Sequence, residues 1–213
     1  MEGLFITFDG PEGCGKSTQA QLLADLLESI GYDVVLTCDP GGTEIGDKIR
    51  QIILDSDNTQ MAVLTELFLF LASRNQLVVE NIAKQLNNGT IVICSRYTDA
   101  TLVYQGYARG LDLDMLDKLN AVATDNISPD LTILLDIDPE IGLQRVQERY
   151  KSRSDEMDRI EEEMLEFHQK VRNGYLELCK QEPRRIKKIN AEDTIENIQV
   201  QVKELVLDVL EKK

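Results

Sequence analysis

Tryptophan is absent from the 213 residues, and histidine occurs once, as His168. The four cysteines, Cys14, Cys38, Cys94 and Cys179, stand far apart without the paired spacing of a zinc ligand set, so a Cys/His metal site is not expected. Scattered single thiols fit a reduced compartment better than a disulfide framework. Positive charge is scarce: 23 Lys and Arg against 38 Asp and Glu leave a formal charge of -15. Such a field repels polyanions, which argues against a nucleic acid or an anionic membrane as partner. No apolar run approaches membrane-spanning length, and the first apolar strand begins too close to Met1 to leave room for a signal peptide. Repeats and low-complexity linkers are missing too. The expectation is a soluble, cytoplasmic chain forming one domain over 1–213, long enough to bury a single core.

What is present begins with Gly10-Pro11-Glu12-Gly13-Cys14-Gly15-Lys16-Ser17, which fits the phosphate-loop pattern G-x-x-x-x-G-K-[ST]. Leu4-Phe5-Ile6-Thr7-Phe8 before it reads as a buried strand, and the residues after Ser17 carry apolar side chains at helical spacing. Glycines let successive N–H groups turn toward one phosphate, and the helix N-terminus adds partial positive charge. Lys16 can reach the outer phosphates, and the Ser17 hydroxyl can hold magnesium.

Further along, Asp33–Thr37, Thr90–Cys94, Asp130–Asp136 and a short run from Arg185 to Asn190 read as strands. Helical periodicity covers Thr59–Leu86, Asp112–Asp125, a start near Pro139, a resumption at Ile160 and a final helix opened by Thr194. Between Arg145 and Arg159 the apolar pattern weakens and Arg145, Arg149, Arg153 and Arg159 crowd in. Strands alternating with helices predict an α/β fold with a mostly parallel five-stranded sheet and helices on both faces.

No Asn-Lys-x-Asp base-reading motif of a GTPase follows a late strand, and Asp136-Ile137-Asp138 only weakly imitates a Walker-B end. Arginines at strand ends and in one segment suit instead a kinase whose acceptor is itself a phosphate, since guanidinium groups are rigid bidentate donors. Phe70 and Arg74 lie one helical turn apart, so a joint base-binding role is open to them, against a core and a solvated position respectively. Arg96 sits just past the C-terminal end of a buried strand, where ligands of α/β sheets collect.

Phe8–Thr18, Pro40–Gly46, Leu67–Arg74, Arg96–Gly110, Pro129–Asp136 and Asp158–Glu161 together, in order and spacing, resemble thymidylate kinases along essentially the whole chain. The resemblance implies a P-loop nucleoside-monophosphate-kinase fold in three layers, phosphorylation of dTMP to dTDP by ATP with Mg2+, and a homodimer paired through long helices. It implies that Gly10, Glu12, Gly13, Cys14, Gly15, Lys16, Ser17 and Thr18 surround ATP, joined by Arg149 from a mobile lid around 145–160. On the acceptor side it places Phe70 against the thymine ring and Arg74 at the base carbonyl. Thr101 and Gln105 lie near the base, Tyr104 beside the sugar, and Glu12 facing the sugar hydroxyl. Asp39, Arg96, Asp158 and Glu161 complete that side, Arg96 holding the acceptor phosphate. Lys16, Arg96 and Arg153 are the expected catalytic group, the lid supplying the positive charge that the P-loop lacks.

Three departures from the family pattern stand out. Ser95 replaces the usual aspartate before Arg96, Cys38-Asp39 replaces arginine-glutamate, and Phe8-Asp9-Gly10 shortens a glutamate. Having Ser95 in place of an aspartate and Cys38 in place of an arginine removes opposite charges together and preserves local charge balance. Asp9, at the end of a strand neighbouring that of Ser95, is then expected on the acceptor and magnesium side, acting on the ion through a water. Two rivals stay open on these departures: a kinase of another deoxynucleoside monophosphate, and a low-turnover nucleotide-binding regulator.

Overall fold

The computed structural model describes residues 3–153 and 157–212. At its centre is β1 (Leu4–Asp9), buried at every position. Full burial requires cover on both faces, and alternation supplies it. Leu4, Ile6 and Phe8 face one apolar cluster, Phe5 faces another, and Thr7 and Asp9 share Phe5's side. The sheet runs β2 (Val34–Cys38), β3 (Ile91–Ser95), β1, β4 (Leu131–Asp136), β5 (Ile186–Asn190), with every neighbouring pair parallel. The fold is α/β, and its sheet is parallel throughout.

Helix α1 (Lys16–Ser29) follows β1, and α2 (Glu44–Leu54) follows β2, capped by Thr43 through its hydroxyl to the Gly46 amide at 2.9 Å. Helices α3 (Val63–Leu77) and α4 (Ala83–Asn87) are joined by a π turn, Val78–Ile82, and lead to β3. Then come α5 (Thr98–Thr101), a π segment Leu102–Ala108, α6 (Leu113–Thr124), β4, α7 (Pro139–Arg153), α8 (Leu165–Gln181), β5 and α9 (Ile195–Leu210). Helices α1 and α9 cover one sheet face through Leu23, Leu27, Ile198 and Val202. The other face is covered by Leu77, Val78 and Ile82, and by the α5–α6–α8 group around Val103, Leu116 and Val171.

Three boundaries differ from the pattern in the sequence. The long helix begins at Val63, not Thr59, because Asp55 accepts from the Asp57 amide at 2.9 Å and Asn58 and Met61 close turns that hold the chain out of helix. Helix α7 runs on to Arg153, through the stretch where periodicity weakens. Its core anchor there is Val146, the one buried residue between 143 and 152, with polar side chains on either side of it. Ile160 opens no helix. Its amide and that of Glu161 both donate to Asp158 Oδ1 at 2.9 Å, an Asx turn, and α8 starts at Leu165.

Candidate active site

The loop after β1 packs against the first turn of α7 so closely that a Cβ on Gly13, whose φ is +71°, would lie 2.1 Å from the Gly142 carbonyl oxygen. Glycine at both places is what lets the loop curl at the C-terminal edge of the sheet. Lys16 Nζ donates to the Gly10 and Pro11 carbonyls at 3.0 and 2.8 Å. Ser17 and Thr18 are exposed on a cleft of about 680 Å³ that Glu12, Gly13, Gly15 and Lys16 also line. Gly10 and Cys14 are not on its wall. The Gly10 carbonyl turns back to receive Lys16 and Arg96, and the Cys14 thiol is 1 % exposed within the core.

Arg96 occupies the middle of the cleft with a left-handed backbone, φ +69°, which is strained for a residue with a side chain. It is heavily restrained. Its Nη2 meets Glu12 Oε1 at 2.6 Å, its Nη1 donates to the Gly10 carbonyl at 3.2 Å and to the Tyr175 hydroxyl at 3.1 Å, and its guanidinium lies 4.9 Å from the Tyr104 ring centre. Tyr104 donates its own hydroxyl to the same Glu12 oxygen at 2.8 Å. Burial alone would push the Glu12 carboxyl up, but Arg96, Lys16 and Tyr104 pull it down to about 2. Glu12 is therefore an ionised anchor, well short of a proton acceptor at neutral pH.

Asp9 is fully buried, accepts from the Tyr175 hydroxyl at 2.9 Å and does not line the cleft. The strand alternation that puts Asp9 on Thr7's side of β1 also turns its carboxylate to Tyr175, enclosed rather than open to the cleft. Burial and the nearby Asp99 push its carboxyl up to about 6, with Arg96, Tyr175 and Lys16 opposing.

Phe70, Arg74, Thr101, Tyr104 and Gln105 line the far end of the cleft together. Arg74, expected at the base carbonyl, is 1 % exposed and already engaged. It donates to Asp39 Oδ2 at 2.5 Å, to Thr101 and Asn120 at 2.7 Å each, and to the Tyr97 carbonyl at 3.0 Å. That leaves one of its five N–H groups. Asp39, in turn, is a buried partner of Arg74 on the cleft wall.

Of the four arginines expected to bear the lid charge, Arg145 and Arg149 line the cleft. Arg145 donates to the Ala191 carbonyl at 3.0 Å, and Arg149 to Glu161 at 2.7 Å. Arg159 points elsewhere, to Glu66 at 2.6 Å and the Ile53 carbonyl at 3.0 Å. Arg153 ends α7, and its side chain lies outside the described residues. Asp158 and Glu161 both reach the cleft wall, and burial together with Glu161 pushes the Asp158 carboxyl up to about 6.

Cys38 and Ser95 are register partners across β2 and β3, so the two unusual positions are neighbours at the cleft edge. Sequence reading missed Arg50, which lines the cleft beside Cys38 and donates to the Pro40 carbonyl at 2.8 Å. Its signal was available: an arginine on the helix immediately following the Pro-Gly-Gly turn. Tyr175 and Glu66 carry no local signal in the sequence and were not singled out there. Among the described residues no group of three or more His, Cys, Asp or Glu is placed to hold a metal ion. Magnesium is held in phosphoryl-transfer sites mainly by phosphates and water with one or two protein oxygens, and the exposed Ser17 hydroxyl beside Lys16 fits that lesser demand.

A phosphate loop at the C-terminal edge of a five-stranded parallel sheet faces, across one cleft, an arginine and an aromatic side chain. That arrangement defines a P-loop kinase of the nucleoside-monophosphate class. The thymidylate kinase family model matches residues 8–202. Thymidylate kinase of Syntrophotalea carbinolica is 50% identical over 195 residues, 91% of this chain and 90% of the relative. That of Geobacter sulfurreducens is 46% identical over 207 residues, 97% of each chain. The crystal structure of thymidylate kinase from Ehrlichia chaffeensis superposes with a TM-score of 0.78 at 31% identity, covering 97% of this chain and 99% of the other. The chain belongs to the thymidylate kinase family.

Proposed function

We propose that the cleft binds ATP against the phosphate loop and dTMP against Phe70, and transfers the γ-phosphoryl group to dTMP to give dTDP and ADP. The observation that carries this reading is the continuity of the cleft from Ser17 and Lys16 through Arg96 to Phe70, inside a chain of this family. The acceptor phosphate is ionised near neutral pH, so no strong base is needed, and positioning with charge neutralisation supplies the rate. Lys16 leaves the loop carbonyls for the β- and γ-phosphates. Arg96, held by Glu12 and Tyr175 on two sides, presents its charge to the acceptor phosphate. Arg145 and Arg149 approach from α7, and Arg153 is kept as the catalytic lid residue. Ser17 would hold magnesium, which would supply neutralising charge to the donor phosphates. The ring of Phe70 stacks on thymine, with Thr101, Tyr104 and Gln105 around base and sugar. Arg74 reads the base through its one remaining N–H and otherwise clamps that wall.

The chain acts as one kinase domain over 1–213 with a lid around 145–160, in a cytoplasmic setting consistent with its four free cysteines. No described helix is long and apolar enough to cross a membrane. A homodimer through α3 and α2 is supported by Leu64 and Phe68 on α3, one turn apart and 48 and 56 % exposed, and by Ile45 and Ile52 on the adjoining α2, each 48 % exposed.

Chromatography of a reaction holding ATP, magnesium and dTMP tests the proposal. It predicts dTDP and ADP appearing in equal amounts. ADP formed without dTDP, or neither product, would favour the low-turnover regulator.

A further inference from the structure

Glu66 lies on α3 one turn before Phe70, its side chain 2 % exposed. Four donors converge on it: Gln105 Nε2 at 3.0 Å, Arg109 Nε and Nη2 at 3.3 and 3.2 Å, and Arg159 Nη2 at 2.6 Å. Arg109 also reaches Glu163 at 2.5 Å, so two carboxylates balance two guanidiniums and the burial leaves no net charge uncompensated. Burial pushes the Glu66 carboxyl up, but Gln105 and the arginines hold it below the usual carboxylate range. An ionised carboxylate only accepts, so the Gln105 amide must turn its NH2 to Glu66, and its oxygen is the end left for a ligand. On the other side, Arg159 is fixed three ways, by Glu66, by the Ile53 carbonyl at 3.0 Å and through its own amide to the Leu54 carbonyl at 3.1 Å. The turn that carries Arg159 also brings Asp158 and Glu161 to the cleft, and Glu161 holds Arg149.

We propose that Glu66 is a positioning residue that couples occupation of the acceptor pocket to the donor-side arginine Arg149, through Gln105 on one side and the Arg159 turn on the other. The proposal rests on the reading of Gln105 as an acceptor-side residue. A base that fixes the Gln105 amide fixes the Glu66 carboxylate, and with it the Arg159 turn and the Glu161 that aims Arg149. Acceptor and donor then bind more tightly together than apart, and the coupling acts equally in both directions.

The test is calorimetry on the full chain, titrating a β,γ-imido ATP analogue with magnesium in the presence and absence of saturating dTMP. In the natural protein dTMP should tighten the analogue by a factor of about 5 or more, the lower end of measured coupling between sites. Arg159→Lys keeps the charge but loses the fork that spans Glu66 and Ile53. It should bind dTMP alone as the natural protein does, while the coupling factor falls to near one. Glu66→Gln should lose the same coupling and bind dTMP itself more weakly. Purely structural glue would lower the melting temperature and leave the coupling factor unchanged. That outcome in Arg159→Lys, or no coupling in the natural protein, overturns the proposal. Gln105→Ala checks the underlying reading separately: unchanged dTMP affinity there removes Gln105 from the acceptor side, whatever the coupling in Arg159→Lys.

Discussion

Arg74 and Phe70 sit on one stretch of α3, yet their surroundings give them different work. Arg74→Ala strands Asp39 in the interior without its partner, and breaking a buried pair in this way costs about 3–5 kcal/mol. Urea unfolding should show that loss, and a change below about 1 kcal/mol would mean Arg74 is no clamp. Phe70 is only half-buried, so Phe70→Ala should leave the fold intact and raise the dTMP requirement roughly 10- to 100-fold, the worth of about 1–3 kcal/mol of stacking. Calorimetry should find ATP affinity nearly unchanged, and equal weakening of both nucleotides would return Phe70 to the core. Lys16→Ala removes a charge aimed at the transferring phosphates and should lower turnover by roughly two orders of magnitude, about 3 kcal/mol. Turnover within about fivefold of the natural enzyme contradicts that role. The phosphate loop was legible because its chemistry needs contiguous residues. The burial of Asp9 was not legible, because its partner Tyr175 stands 166 positions away, and no local pattern announces such a contact.

The same contrast holds for whole elements. Strands β1, β3 and β4 could be read directly, since burial on both faces leaves continuous apolar runs. Helix α7 could not, with Val146 its one fully buried residue near the arginines. The turn from 157 to 163 hid for another reason: what holds it is Arg159 on Glu66, a pair 93 residues apart. That turn has a pH signature. The Asp158 carboxyl stands near about 6 in the fold against an ordinary 3.8. Between those values the folded chain holds a proton that the unfolded chain has lost, so this group's contribution falls as pH rises through that window. Asp9 acts in the same direction, while Glu12, near about 2, has the opposite sign and loses its contribution only as pH drops below the ordinary carboxylate range. Asp158→Asn keeps the oxygen that accepts from Ile160 and Glu161 and removes the titration. Without nucleotide or magnesium, stability should drop less between about pH 4 and 6.5 in that variant than in the natural chain. An equal drop would assign the titration elsewhere.

At the scale of the molecule, the acidic surface and the exposed Leu64–Phe68 stripe pull in opposite directions. Net charge of -15 disfavours association unless an apolar face outweighs it. Sedimentation should find a dimer, and Phe68→Asp should give a folded monomer; a natural chain that sediments as a monomer removes the proposed pairing. A parallel five-stranded sheet with helices on both faces was foreseeable from strand–helix alternation and the family likeness; the strand order was not read. The adjacency of Cys38 and Ser95 was not, since register between β2 and β3 sets it. These two positions bear most directly on which acceptor the cleft prefers, because they border it together with Arg50 and Arg96. The deciding measurement is therefore coupled ADP release with dTMP, dUMP, dGMP, dCMP and dAMP as alternative acceptors at saturating MgATP. The account predicts the highest kcat/KM for dTMP, with the purine acceptors and dCMP at least about tenfold lower, a difference of about 1.4 kcal/mol in transition-state binding. A higher value for any other acceptor, or ADP release that no acceptor stimulates, would contradict it.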